Sequence, residues 1–170
     1  MTTQVLLAYA TSYGSTKEVA ESMAETLRST GFSVDVQPAR QVSSLANYSA
    51  VILGAPLYMF HWHADARKFL SRHRQTLTSL PVSIFALGPF HNQEKELQSA
   101  REQLEKELLN FPWLKPASVE VFVGKFDPTS LRFPYSLIGP LKKMPASDER
   151  DWQAIQSWVK EVAINTYSAN

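Results

Sequence analysis

Short apolar runs separated by amphipathic stretches limit what this chain can fold into. Val5–Tyr9, Ala50–Leu53 and Pro81–Leu87 are almost unbroken in aliphatic and aromatic residues, and Val119–Val123 carries a single charge. Such runs are too short for ordinary helices, and without polar alternation they need cover on both faces. Phe32–Val36 alternates instead, as a half-buried edge strand does. The segments between the runs keep the helical period. Val19, Ala20, Met23, Ala24 and Leu27 fall on one face, as do Leu97, Ala100, Leu104, Leu108 and Phe111. A helix is expected over Ala64 to Leu77, with Ala66, Phe69, Leu70 and Leu77 inward. The last helix carries Trp152, Ile155, Trp158, Val159 and Val162 on one side. The order β-α-β-loop-β-α-β-α-β-loop-α predicts an α/β, doubly wound parallel sheet with helices on both faces. Ligands of such sheets bind beyond the C-terminal ends of the strands.

The loop after the first strand, Thr11-Ser12-Tyr13-Gly14-Ser15-Thr16, leads directly into a helix. Hydroxyls, a flexible glycine and the helix N-terminus together make a pocket of donors suited to an anion, and a phosphate fits without Arg or Lys. Lys17 is the nearest cation. The alternative is a polar turn before a capped helix: Ser15-Thr-Lys-Glu18 matches a capping box, which starts the helix at Ser15, and Gly31 ends it. The loop is neither a Walker A loop nor a dinucleotide turn.

The loop after the third strand crowds aromatics and histidines together: Pro56, Leu57, Tyr58, Met59, Phe60, His61, Trp62 and His63. Stacking on a planar heteroaromatic ligand would cover such rings, and a hydrophobic lid or dimer patch is the competing reading. The loop after the fourth strand, Leu87, Gly88, Pro89, Phe90, His91 and Asn92, brings another aromatic to the same rim. One loop for a phosphate and two for a flat ring describe a mononucleotide with a large ring system.

Taken together, Tyr9-Ala-Thr11-Ser-Tyr13-Gly14-Ser15-Thr16, Gly54-Ala-Pro56-Leu-Tyr58, and Trp62-His63 with Arg67-Lys-Phe69 behind it resemble the flavodoxin-domain family. The nearest branch is that of the quinone-dependent protoporphyrinogen oxidases, and the likeness runs from residue 4 to residue 165. It implies a flavodoxin-like five-stranded sheet in the order 2-1-3-4-5, binding FMN non-covalently. Thr11 to Thr16 would wrap the phosphate, and Tyr58 to Trp62 with Leu87 to Asn92 would border the isoalloxazine, with Tyr58, Phe60, Trp62 and Phe90 as ring contacts. His61, His63 and His91 are candidates for polar contact or proton relay. The implied function is an FMN-dependent oxidoreductase, protoporphyrinogen oxidase-like with a quinone acceptor. The alternative is a flavodoxin-type electron carrier that docks onto redox partners.

Charge weighs against the carrier. Seventeen Lys and Arg against sixteen Asp and Glu give a net charge of +1, whereas carriers of this family are usually strongly acidic. The same balance offers no basic field for nucleic acid. Leu57 to His63 contains no glycine, and a non-glycine residue resists the positive φ associated with a stabilised one-electron form of the flavin. Two-electron chemistry is therefore expected. The 170 residues suit one domain, and the absence of cysteine excludes disulfides, thiolate metal sites and a catalytic Cys. His61 and His63 lack further partners for a metal. His73, spaced with Phe69 and Leu77, reads as a packed helix residue, and the charges between Glu94 and Glu107 as a solvated face. No run reaches a membrane-spanning length and no signal peptide precedes the first strand, so a cytoplasmic protein is expected. The stretch from Lys125 to Ser147 mixes Phe126, Leu131, Phe133, Tyr135, Leu137, Ile138 and Leu141 with a few cations. Packing against the last helix is the expectation, since so few cations attract anionic lipid only marginally.

Overall fold

The computed structural model describes residues 3–58, 61–130 and 135–167. Strands β1 (Gln4–Tyr9), β2 (Ser33–Pro38), β3 (Ala50–Tyr58), β5 (Val82–Leu87) and β6 (Ser118–Phe122) form a parallel sheet in the order β2-β1-β3-β5-β6. Counting only these parallel strands, that is the expected 2-1-3-4-5. The sequence did not foretell β4 (His61–Trp62), which turns back antiparallel on the end of β3 and pairs Leu57 with Trp62 and Tyr58 with His61.

Two apolar layers sandwich the sheet. Alternate residues of β1 show the division: Leu6 and Ala8 face the layer that holds Phe69, Leu70 and Leu104, while Val5 and Leu7 face Met23, Leu27, Ile155 and Val159. Helices α1 (Ser15–Ser29) and α6 (Trp152–Val162) thus cover one face, and α2 (Ala64–Arg72), α3 (Arg74–Leu77) and α4 (Glu94–Leu108) the other. Gly54 of β3 is required by close approach: a Cβ there would lie 1.9 Å from Cζ of Phe85, whose buried ring is flanked by Phe122 and Trp158. Gly31, at φ +98°, ends α1 as expected, with the Phe32 amide reaching back to the Leu27 carbonyl at 3.2 Å.

Three local expectations are corrected. The helix expected over Ala64 to Leu77 breaks at His73, where φ is −104° and ψ 15°. There the Arg72 Nη2 donates to the Ala39 carbonyl at 2.8 Å and the buried His73 ring meets the Val42 carbonyl at 3.2 Å. The capping box does not form. Gly14 is the N-cap, in the left-handed region at φ +91° and without a side-chain cap, and the Glu18 carboxylate goes instead to Arg150 at 2.9 Å. The solvated face of α4 ends at Glu107, which is buried and accepts from or pairs with His61 at 3.3 Å.

Between β6 and α6 the chain makes an excursion whose ends are joined: β7 (Lys125–Phe126) pairs antiparallel with β8 (Ser147–Asp148), and α5 (Gly139–Lys143) lies between them. Phe126 packs on Phe90, ring centroids 4.7 Å apart, so its described contact is with the loop after β5 rather than the last helix. Leu137 is exposed, and Leu131, Arg132 and Phe133 lie outside the described residues.

Candidate functional site

The chain leaves β1 toward β2 on one side of the sheet and later crosses to β3 on the other, so β1 and β3 flank the point where the winding reverses. At that point the loops that follow β1 and β3 diverge and leave a crevice. The loop after β5 lies next along the same edge.

The first loop is held open by its own hydrogen bonds. The Gly14 amide donates to Thr11 Oγ1 at 2.8 Å, and the Glu18 amide bonds the Gly14 carbonyl at 3.2 Å. That bond opens the helix, so the amides of Ser15, Thr16 and Lys17 precede any carbonyl that α1 could offer them. Thr11, Ser12, Tyr13, Gly14 and Ser15 are partly exposed, and a Cβ on Gly14 would meet nothing within 4 Å. Thr16 is fully buried, yet among the described residues its Oγ1 has no hydrogen-bond partner. Buried hydroxyls are nearly always paired, so an orphan at a helix N-terminus marks a place built for an acceptor. Lys17 points to solvent, 4.0 Å from Glu21. The donor set is therefore neutral: hydroxyls, amides and the positive end of α1.

Sequence reasoning missed Arg150. Its side chain is 3% exposed, donates to Asp148 at 2.8 Å and Glu18 at 2.9 Å, and covers the Trp152 ring at 4.7 Å. The Asp148 carboxyl is held below its ordinary range chiefly by the hydrogen bond from Arg150. Arg150 also reaches the Ser15 carbonyl at 3.4 Å, so it ties β8 to the first turn of α1. No spacing rule singles out one arginine in an irregular stretch.

The second loop divides. Tyr58 stays at the mouth, its ring 6.1 Å from Tyr13 and 6.4 Å from His63. Trp62 does not: its indole is 1% exposed and donates Nε1–H to the Ala55 carbonyl at 3.0 Å. The choice of Trp62 as a ring contact is therefore corrected. Pairing with Leu57 turns it inward, because residues opposed in an antiparallel ladder share a face. The Pro56 side chain is buried and Leu57 half-buried, while Met59 and Phe60 lie outside the described residues. His61 is exposed and turned to Glu107 of α4. His63 caps α2, its Nδ1 accepting from the Asp65 amide at 3.1 Å, while Nε2 lies 3.2 Å from Ser12 Oγ. Burial pushes the His63 pKa down.

The third loop is laced to β6: the Gly88 amide donates to the Phe122 carbonyl at 2.9 Å, and the Gly124 amide to the Pro89 carbonyl at 2.8 Å. Leu87 is buried, and Gly88, Pro89, Phe90 and His91 are partly exposed. Phe90 rests on Phe126, His91 lies 3.9 Å from Glu149, and the Asn92 amide donates to the same carboxylate. The structure thus brings Thr11 to Thr16, Tyr58, His63 and the Phe90 loop to one edge, and takes Trp62 away from it. Among the described residues no cluster of acidic residues and histidines could hold a metal, and no helix is long and apolar enough to cross a membrane.

Comparison with known proteins agrees with this architecture. The chain is 25% identical to the protoporphyrinogen IX dehydrogenase [quinone] of Escherichia coli (strain K12) over 177 aligned residues, covering 94% of each protein. It is 24% identical to the protein of that name from Leishmania major, covering 93% of this chain and 74% of that one. Among solved structures, oxidised flavodoxin 1 from Bacillus cereus superposes with a TM-score of 0.61 at 18% identity, over 95% of this chain and 98% of that one. The family model of the flavodoxin domain matches residues 6–145, and the chain belongs to that family.

Proposed function

We propose that this protein is an FMN-dependent oxidoreductase that removes two electrons from a reduced tetrapyrrole of the protoporphyrinogen type and passes them to a quinone. The observation that carries the reading is the unpartnered, fully buried hydroxyl of Thr16 beside a loop of further hydroxyls at the start of α1. A phosphate dianion supplies the missing acceptor, and the helix dipole favours its charge. Thr11, Ser12, Ser15 and Thr16 would hold the phosphate, with Tyr13 and Gly14 shaping the turn. Tyr58 and the Phe90 loop would border the ring. FMN supplies the electron-accepting chemistry when bound, and the chain's own residues bind it, orient it and cover it.

Support for the substrate class comes from the two relatives named protoporphyrinogen IX dehydrogenase [quinone], whose alignments span nearly the whole of this chain. The net charge of +1 supports an enzyme over a carrier, since it lacks the acidic field that steers a carrier to basic partners. The decisive experiment loads the purified protein with FMN and follows turnover of protoporphyrinogen with a soluble quinone. The expected result is stoichiometric FMN uptake and steady-state turnover. Absence of FMN uptake would refute the cofactor. FMN uptake with one-electron exchange to a reductase but no turnover would establish the carrier instead.

A further inference from the structure

Ser12 and His63 meet across the point where the winding reverses, Ser12 following β1 and His63 capping α2 after β3. The two ring nitrogens have separate partners. An amide only donates, so Nδ1, 3.1 Å from the Asp65 amide, is the acceptor. In the neutral ring the proton then sits on Nε2, 3.2 Å from Ser12 Oγ. The Ser12 oxygen accepts that bond, which leaves its own proton to point elsewhere. Thr11 is held in the same sense, its Oγ1 accepting from the Gly14 amide at 2.8 Å. Two neighbouring hydroxyls thus have their oxygens engaged by N–H groups and their protons free. A hydroxyl so engaged serves an acceptor without protons of its own, which a phosphate dianion is.

We propose that His63 is a positioning residue: as the Nε2–H tautomer it turns the Ser12 hydroxyl into a committed donor to the mononucleotide phosphate, and so sets preference for FMN over riboflavin. This rests on the FMN reading. The groups around the ring agree with a neutral imidazole. Burial is the largest influence and disfavours the charged form, the Asp65 carboxylate works against it, and the Arg67 guanidinium works with it. Tyr58 and Ser12 are uncharged neighbours. A second proton would have to go on Nδ1, which would then release the Asp65 amide and uncap α2. Cap and burial therefore select the same state.

Two variants separate a positioning role from a merely structural one. In His63→Asn the shorter amide keeps an oxygen for the Asp65 amide, since Asn is a good N-cap, but cannot reach Ser12. In His63→Gln an amide N–H returns near the former Nε2 while the cap is lost. Losing one positioned hydrogen bond to a charged group corresponds to roughly a tenfold loss of affinity or more. His63→Asn is expected to keep the melting temperature and riboflavin affinity and lose about tenfold in FMN affinity. His63→Gln is expected to recover the preference for FMN at lower thermal stability. Nitrogen-15 NMR of the ligand-free wild type at neutral pH is expected to show the Nε2–H tautomer, and inorganic phosphate to shift the Ser12 and His63 signals together. An unchanged FMN-to-riboflavin ratio in His63→Asn overturns the proposal, as does an Nδ1–H tautomer or an imidazolium. Should the wild type take up neither flavin, the FMN reading fails, and the tautomer and the phosphate titration still decide the role of His63.

Discussion

Replacing Thr16 with valine changes ligand-free stability and cofactor affinity in opposite directions. The side chain is fully buried and its hydroxyl has no partner among the described residues, so the ligand-free protein carries an unsatisfied polar group there. Such a group costs about 1–3 kcal/mol, and an apolar group of the same shape removes the cost. Valine has that shape, is β-branched like threonine, and has similar helix propensity. It would face the layer that already holds Val19 and Ala20 of the same helix. Taking the lower end, ligand-free Thr16→Val gains about 1 kcal/mol, which is about 3 °C in melting temperature for a chain of this size. FMN loses a charge-assisted hydrogen bond of about 1.5–3 kcal/mol, or roughly tenfold to a hundredfold in Kd. Thermal melts of the ligand-free protein read the first effect, and titration by quenching of flavin fluorescence reads the second. A variant that melts below wild type and binds FMN equally well would show that the Thr16 hydroxyl serves the fold and not a phosphate.

Gly54→Ala puts a methyl group inside the Phe85 ring, which Phe122 and Trp158 hold in place, and should cost about 2–3 kcal/mol in urea denaturation. A variant as stable as wild type would show that β3 and β5 can move apart. Trp62→Phe leaves the buried Ala55 carbonyl without its donor and should cost about 1–3 kcal/mol while FMN affinity stays within about twofold; a large loss of affinity at unchanged stability would return the indole to the ring site. Arg150→Met should cost about 1–2 kcal/mol at neutral pH, less than a fully buried pair because Glu18 and Asp148 are half-exposed and regain water. Asp148 titrates below its ordinary value when Arg150 is present, so this contribution is full above the usual carboxylate range and is lost as pH falls through the depressed value. Equal acid-induced losses in wild type and variant would contradict it. Photoreduction of the FMN-loaded protein should pass to the two-electron form with little radical, because Leu57 to His63 has no glycine; radical as the main species refutes the inference.

The three inner strands were legible because each is buried on both faces and shows it as an almost unbroken apolar run, as Val51–Leu53 and Ile84–Leu87 do, and the edge strand β2 was legible from its alternation. The hydroxyl loop was legible because its residue types lie consecutively before a periodic helix. What stayed hidden depends on partners distant in the chain. Ser15 looks like a cap, yet Arg150 lies 135 residues away and draws off the Glu18 carboxylate that would complete the box. Trp62 looks like a loop aromatic, and only its pairing with Leu57 in a two-residue strand sends it inward. Glu107 sits in a run of charges, and its burial follows from β4 folding against α4, a contact no periodicity encodes. The same holds for the Ser12–His63 bond, since the two residues are 51 positions apart.

The pairing of Lys125–Phe126 with Ser147–Asp148 gives the excursion after β6 a closed stem. Its two feet stand side by side, so the sheet meets the same pair of anchor points whatever lies between them. Lengthening a tethered stretch of this kind adds only about 0.6 kcal/mol of closure entropy for each doubling. The stretch from 127 to 146 can therefore be lengthened at small entropic cost to the pairing of its two feet. In this architecture the segment between those feet can diversify in length while its two anchor points stay side by side.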